Sequence, residues 1–307
     1  MRRNLTAIPF HRRRGFQSTA CLAIGAALLP TMLAGARADA HTHPAAANAR
    51  TAASTLPTLK IIATDFAFAG PEKTKGGAMR VELTNAGKQP HHVLIVRITG
   101  TRSYEDIQAI ANQGSSYPSW FTAFGGTGSV APGQTGSAFV DLPTGSYALL
   151  CVLDDAATHK DHGHLGMVRR LTVTAPATTV RVPTADATII ATDYTFTATG
   201  LSAGTHNVAL VNQGREIHHV ILAPLGDGHT LAEVSAFLLA DASTPPTGPP
   251  PVDFTKSVEI QAIDPGKTVV APLALAKGTY AAFCFVHDRA GGPPHLVKGM
   301  VSALTVS

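Results

Sequence analysis

The feature that most constrains this chain is that it is written twice. Ile61-Ile62-Ala63-Thr64-Asp65-Phe66 returns as Ile189-Ile190-Ala191-Thr192-Asp193-Tyr194. Asn85, six positions before His91, returns as Asn212, six before His218. Pro132-Gly133 returns as Pro265-Gly266, and Gly145-x-Tyr147-x-x-x-Cys151 as Gly278-x-Tyr280-x-x-x-Cys284. The offset moves only from 128 to 127 to 133, so the copies differ by short insertions. Any fold proposed for one copy must therefore serve the other. Two domains are expected, at residues 57–176 and 184–307, joined by the segment APATTVRVPT.

Within a copy the pattern is that of strands. MRVELTN, HHVLIVRI, SAFVDL, YALLCVL and RLTVT are short, rich in Val, Leu and Ile, and separated by Gly, Pro and Asn. The second copy repeats them as HNVALVN, HHVILAPL, TVVAPLAL, YAAFCFV and SALTV. So many short strands per hundred residues predict an all-β chain: two tandem Greek-key β-sandwiches. One short helical excursion is expected in each, at Ser103–Asn112 and Thr230–Ala240, the second opened by a capping box, Thr230-x-x-Glu233. Tyr117, Trp120, Phe121 and Phe124 follow the first excursion and are expected either to cover the domain or to dock a partner, with a cover favoured.

The repeat also carries chemistry. Cys151, His162 and Met167 are separated by eleven and five positions, and so are Cys284, His295 and Met300. Each set lies downstream of a His-His pair on an apolar run, His91-His92 and His218-His219. A thiolate, two imidazoles and a weak thioether are the donors of a blue-copper site: soft sulfur favours Cu(I), imidazole serves both oxidation states, and the axial sulfur tunes the potential. Either histidine of each pair could be the strand donor, because a slip of one residue exchanges the two faces.

With these residues in hand, the sequence resembles the cupredoxin (plastocyanin/azurin-like) family over both copies. The resemblance rests on Asn85, Pro90-His91, Cys151, His162 and Met167, then on Asn212, His218, Cys284, His295 and Met300. It implies one type 1 copper per domain and a role in single-electron transfer. In that family the strand ligand is followed by Asn and an apolar residue. That register favours His91 and His218 as ligands, with His92 and His219 in the Asn position facing the other way. The Cys-to-His interval is longer here than in the small blue copper proteins and nearer to the ligand loops of copper nitrite reductases. Pro293-Pro294 would stiffen the second loop. The first lacks these prolines and adds His159 and His164, of which His164 could compete with His162. His287 is expected to be a loop residue or a hydrogen-bond donor behind the site.

Three rival functions share these residues. Copper nitrite reductases and small laccases also resemble tandem cupredoxin domains, but they reach a second centre through a His beside the ligand Cys. Here Cys151 lies between Leu150 and Val152, and Cys284 between Phe283 and Phe285. That argues against a multicopper oxidase or nitrite-reductase-like enzyme within one chain, leaving a subunit-interface site at His92 and His219 open. A periplasmic copper carrier or buffer would use the same ligands reversibly. A Cys151–Cys284 disulfide in a metal-free binding module would leave the His and Met spacing unexplained.

The remaining expectations concern location and partners. Residues 1–38 form an export signal: Arg12-Arg13-Arg14-Gly15-Phe16 resembles a twin-arginine motif, an apolar stretch follows, and Ala36-Arg37-Ala38 is a cleavage site. Cys21 belongs to that leader. Cleavage would expose Asp39-Ala40-His41, a square-planar nest for Cu(II) or Ni(II), on a flexible lead-in at 39–56. A periplasmic or otherwise exported location follows, with no membrane span once the signal is gone. The leader holds six basic residues and no acidic one, and the rest of the chain carries 18 basic against 20 acidic residues. Nucleic acid is thus excluded as a partner, and redox proteins are expected instead.

Overall fold

The computed structural model describes residues 56–113, 117–176, 180–240 and 248–307. The export signal, Cys21, the Asp39-Ala40-His41 site and nearly all of the lead-in lie outside these residues. The first half runs β1 (Thr58–Thr64), β2 (Ala67–Ala69), β3 (Lys73–Lys75), β4 (Gly77–Asn85), β5 (His91–Ile98), α1 (Tyr104–Gln113), β6 (Phe121–Val130), β7 (Thr135–Leu142), β8 (Gly145–Leu150) and β9 (Val168–Thr174). The second runs β10 (Ala187–Thr192), β11 (Thr195–Thr199), β12 (Gly204–Asn212), β13 (His218–Pro224), α2 (Leu231–Leu239), β14 (Val258–Ile263), β15 (Thr268–Leu275), β16 (Gly278–Phe283) and β17 (Val301–Val306). Among the described residues no helix is long and apolar enough to cross a membrane.

Each half is a two-sheet sandwich, and the sheets of the two halves join edge to edge. One sheet has the order β11-β10-β12-β15-β7-β4-β1-β2, the other β17-β16-β13-β14-β6-β5-β8-β9-β3. Read outward from the junction, β7-β4-β1-β2 mirrors β15-β12-β10-β11, and β6-β5-β8-β9 mirrors β14-β13-β16-β17. The repeat in the sequence is thus a pseudo-two-fold in space. The junction pairs are Val270↔Phe139 in one sheet and Ile263↔Phe124 in the other. One apolar core, including Leu59, Val81, Val93, Leu149, Ile189, Val220, Val269 and Leu304, runs through both halves, and a smaller one around Val234, Leu238 and Phe283 lies under α2.

Strand limits follow the alternation. β1 buries every second residue, Leu59, Ile61 and Ala63, as a strand with one wet face must. The six residues from His91 to Val96 in β5 are all buried, because β5 lies between β6 and β8 and is covered on both faces. The capping box of α2 is present: Thr230 Oγ1 accepts from Glu233 N–H while the Glu233 carboxylate accepts from Thr230 N–H. Phe121 and Phe124 lie in β6 and are buried, so the part of the cover they supply is a strand. The strands β8 and β16 stop one residue short of each cysteine, at Leu150 and Phe283, so Cys151 and Cys284 open loops.

Candidate metal centres

Both loops are closed by the same backbone hydrogen bonds, which explains the constant spacing. In the first, Gly163 N–H donates to Cys151 O (2.7 Å), His162 N–H to Leu153 O (2.8 Å) and Met167 N–H to His162 O (2.8 Å). In the second, Leu296 N–H donates to Cys284 O (2.9 Å), His295 N–H to Val286 O (2.8 Å) and Met300 N–H to His295 O (3.0 Å). The eleven-residue interval folds back so that the His follows the Cys in space. The five-residue interval is one closed turn that ends on a fully buried Met. Pro294 precedes a short 3-10 turn over His295–Lys298 in the second loop.

His91 and His218 open β5 and β13, and their rings meet the loops. His91, Cys151 and His162 place one donor atom each within 4.8 Å of one another, and so do His218, Cys284 and His295. In the first site Cys151 Sγ is 3.4 Å from His162 Nδ1, and the two Nδ1 atoms are 3.0 Å apart. In the second Cys284 Sγ is 3.6 Å from His295 Nδ1. The paired rings have centroids 4.8 Å apart at 55° in one site and 4.7 Å at 58° in the other. An ion bound at about 2.0 Å from nitrogen and about 2.3 Å from sulfur leaves donor–donor edges of roughly 3.3–3.7 Å. The donors thus stand close to metal spacing, and the buried Nδ1 of His218 has no hydrogen-bond partner.

The far side of each strand histidine is fixed by an aspartate. His91 Nε2 lies 3.1 Å from Asp65 Oδ1, and His218 Nε2 lies 2.7 Å from Asp193 Oδ1. Burial opposes ionisation of both carboxyls, but the N–H groups of Lys88 and Gln89 hold Asp65 below its ordinary value, and those of Arg215 and Glu216 do the same for Asp193. An ionised Asp accepts a hydrogen bond from the ring Nε2–H, so the Nδ1 lone pair is the one that faces the site. Burial pushes the Cys151 thiol up to about 12, so a cation entering there must displace its proton.

Burial, with His91 beside it, pushes His162 down to about 4 from an ordinary 6.5. This gives an expected pH dependence for the metal-free protein. Between about pH 6.5 and pH 4 the unfolded chain binds this proton and the folded chain does not, so stability falls as pH falls and levels off below pH 4. The His162 share is on the order of 3 kcal/mol at most. Urea midpoints of the metal-free protein at pH 7 and pH 4 check it, and a flat profile would be inconsistent with a buried neutral His162.

The two sites differ at their rims. His295 Nε2 lies 3.2 Å from Asp288 Oδ1, and Asp288 also binds Lys298 and accepts from Tyr194 Oη (2.9 Å). In the first site Asp155 instead accepts from Thr158 and from Gln89 Nε2. A further grouping of Glu216, Asp288 and His295 reuses His295 and is the rim of the second site. His91 and His162 lie in the first donor group, and His218 and His295 in the second. His164 is outside the donor group, so it does not displace His162. His287 Nδ1 lies against Gly292 O (2.8 Å) within its own loop. Both cysteines are free and each lies in its own site, so the disulfide is overturned.

Each half is thus a two-sheet β-sandwich that carries one thiol–imidazole–imidazole group at the mouth of a closed loop. No family model and no curated protein matches the chain. Among solved structures it is similar to dithionite-reduced auracyanin from Roseiflexus castenholzii, at 22% identity over 38% of this chain and 96% of that one, with a TM-score of 0.28. It is also similar to a blue copper oxidase from Nitrosomonas europaea, at 14% identity over 78% and 83% of the two chains, TM-score 0.23. The third is a copper nitrite reductase from Nitrosomonas europaea, at 14% over 82% and 94%, TM-score 0.21.

The residues that support the site are less visible in the sequence. Asp65 and Asp193 stand out only as markers of the repeat, and Gly87 and Gly214, two residues after the repeated Asn, belong to no motif. Their recurrence beside each strand histidine was the available signal. Glu259 and Arg289 had none, because neither has a counterpart of the same type in the first copy.

Proposed function

We propose that this chain is an exported copper protein that passes single electrons between redox partners. Residues 57–176 would hold one type 1 copper through His91, Cys151, His162 and Met167. Residues 184–307 would hold another through His218, Cys284, His295 and Met300. Copper, when bound, supplies a one-electron couple. The chain supplies a frame that has no reason to move when the electron does: strand-borne His residues locked by Asp65 and Asp193, and loops closed by backbone bonds. Full burial of both thiols and both thioethers excludes water from the sulfur donors. The observation that carries this reading is that both copies assemble the same thiol–imidazole–imidazole group on the same loop closure.

The test is copper content together with the visible and spin-resonance spectra of the reconstituted protein. Two coppers per chain and an intense thiolate charge-transfer band are expected. Copper held only as Cu(I), with no colour after oxidation, would turn the assignment to a carrier. No copper at all would overturn it.

A further inference from the structure

His92 and His219 follow the strand histidines and point away from them, as successive strand residues must. Both are pinned. His92 Nε2 accepts from Val152 N–H at 3.0 Å, and His219 Nε2 accepts from Phe285 N–H at 2.8 Å. Val152 and Phe285 are the residues that follow the two cysteines. A ring nitrogen that accepts a hydrogen bond keeps its lone pair, so in a neutral ring the proton sits on Nδ1. Both Nδ1 atoms face one oxygen, Glu259 Oε1, at 3.7 Å from His92 and 3.5 Å from His219. These separations are at or beyond the limit of an ordinary hydrogen bond, so each neutral ring meets the carboxylate as a charge–dipole contact, and burial strengthens it.

Glu259 lies on β14, at the junction of the halves, with its side chain only 8% exposed. Ser129 N–H, from β6 of the other half, donates to its Oε2 at 3.0 Å. The register shows why there is one carboxylate and not two. His91 pairs with Val130 and His218 with Ile263, an offset of 133 on the partner strands. The counterpart of Glu259 is therefore Gly126, where an added Cβ would sit 1.9 Å from Val93 O. The pseudo-two-fold is broken here, and a single anion serves both rings. A metal ion between the rings is disfavoured by the same tautomer, because both Nε2 lone pairs are already engaged and both Nδ1 atoms carry protons.

We propose that Glu259 is a positioning residue shared by both metal sites: by fixing the rings of His92 and His219 against the backbone N–H that follows each cysteine, it couples the two cysteine loops across the domain junction. This rests on the copper reading for its consequence but not for its geometry. The backbone N–H groups held by the two rings belong to the peptides that leave Cys151 and Cys284, so the orientation of each thiolate depends on a carboxylate common to both.

Two measurements test it on the full mature chain. In the metal-free protein, nitrogen-15 NMR of the imidazoles should show Nδ1–H tautomers for both His92 and His219. Glu259→Gln has one oxygen and no charge to offer, so it should shift both sets of ring signals. An Nε2–H tautomer in the wild type, or a shift confined to His219, would overturn the proposal, and the wild-type spectrum decides even if the variant fails to fold. In copper-loaded Cys284→Ser protein, which leaves only the first site able to make a thiolate bond, adding Glu259→Gln should move the charge-transfer maximum of that site. An unmoved band would equally overturn it. Absence of any copper band in either protein would count against the copper reading alone, because the metal-free NMR would still decide the role of Glu259.

Discussion

Cys284→Ser is expected to remove the thiolate charge-transfer band of the second site while leaving that of the first. The thiol is fully buried and is the only sulfur anion that this donor group can offer. Serine has nearly the same shape, but its hydroxyl does not ionise at neutral pH and is a hard donor, so it cannot replace the soft bond to copper. The fold should survive. The loop is closed by Leu296 N–H on Cys284 O and His295 N–H on Val286 O, which are backbone contacts that serine keeps. Cys151→Ser should mirror the result. Met300→Ala should differ in kind, retaining copper and colour with a changed reduction potential, because Cys284, His218 and His295 remain. Copper per chain and absorbance per copper measure all three. A Cys284→Ser spectrum unchanged from wild type would reject the ligand assignment.

What could be read from the sequence was what local bonding determines. The Cys–His–Met intervals are visible because one backbone closure needs the same number of residues in both copies. The strand β5 is visible because a strand buried on both faces is a continuous apolar run. β6 was not: FTAFGGTGSV, with three glycines and two aromatics, lacks that pattern. It is a strand because β5 of its own half pairs with it from His91↔Val130 to Ile98↔Phe121 and β14 of the other half meets its second edge at Ile263↔Phe124. The same reason hides Arg289. Its Nη1 donates to Pro118 O (2.6 Å) and Phe121 O (3.0 Å), and its Nη2 to Asp264, tying the second ligand loop to the first half. Contacts more than a hundred residues apart depend on how the halves dock. The repeat shows that there are two halves, but it does not show which edges meet.

The docked aspartate behind each strand histidine leads to the other large effect. Gly214→Ala is expected to displace His218 and weaken copper binding at the second site. A methyl group there would lie 2.3 Å from Asp193 Oδ1 and 2.8 Å from His218 Nε2, atoms that are themselves 2.7 Å apart. Asp193 cannot retreat without losing the N–H groups of Arg215 (2.8 Å) and Glu216 (3.3 Å). The buried imidazole must turn instead, taking Nδ1 away from Cys284. Overpacking of this kind costs about 1–3 kcal/mol, which is roughly a five- to 150-fold loss of affinity if all of it falls on the metal-bound state. Gly87→Ala should do the same to the first site, with clashes at 2.5 Å to Asp65 Oδ1 and 2.7 Å to His91 Nε2. Gly292→Ala is the control within the same ligand loop, since its nearest neighbour would be Asp288 at 3.7 Å. Competitive copper titration of the three variants separates the outcomes. If Gly214→Ala binds as tightly as Gly292→Ala, His218 is free to move, and the rigidity assigned to the Asp193–His218 pair is wrong.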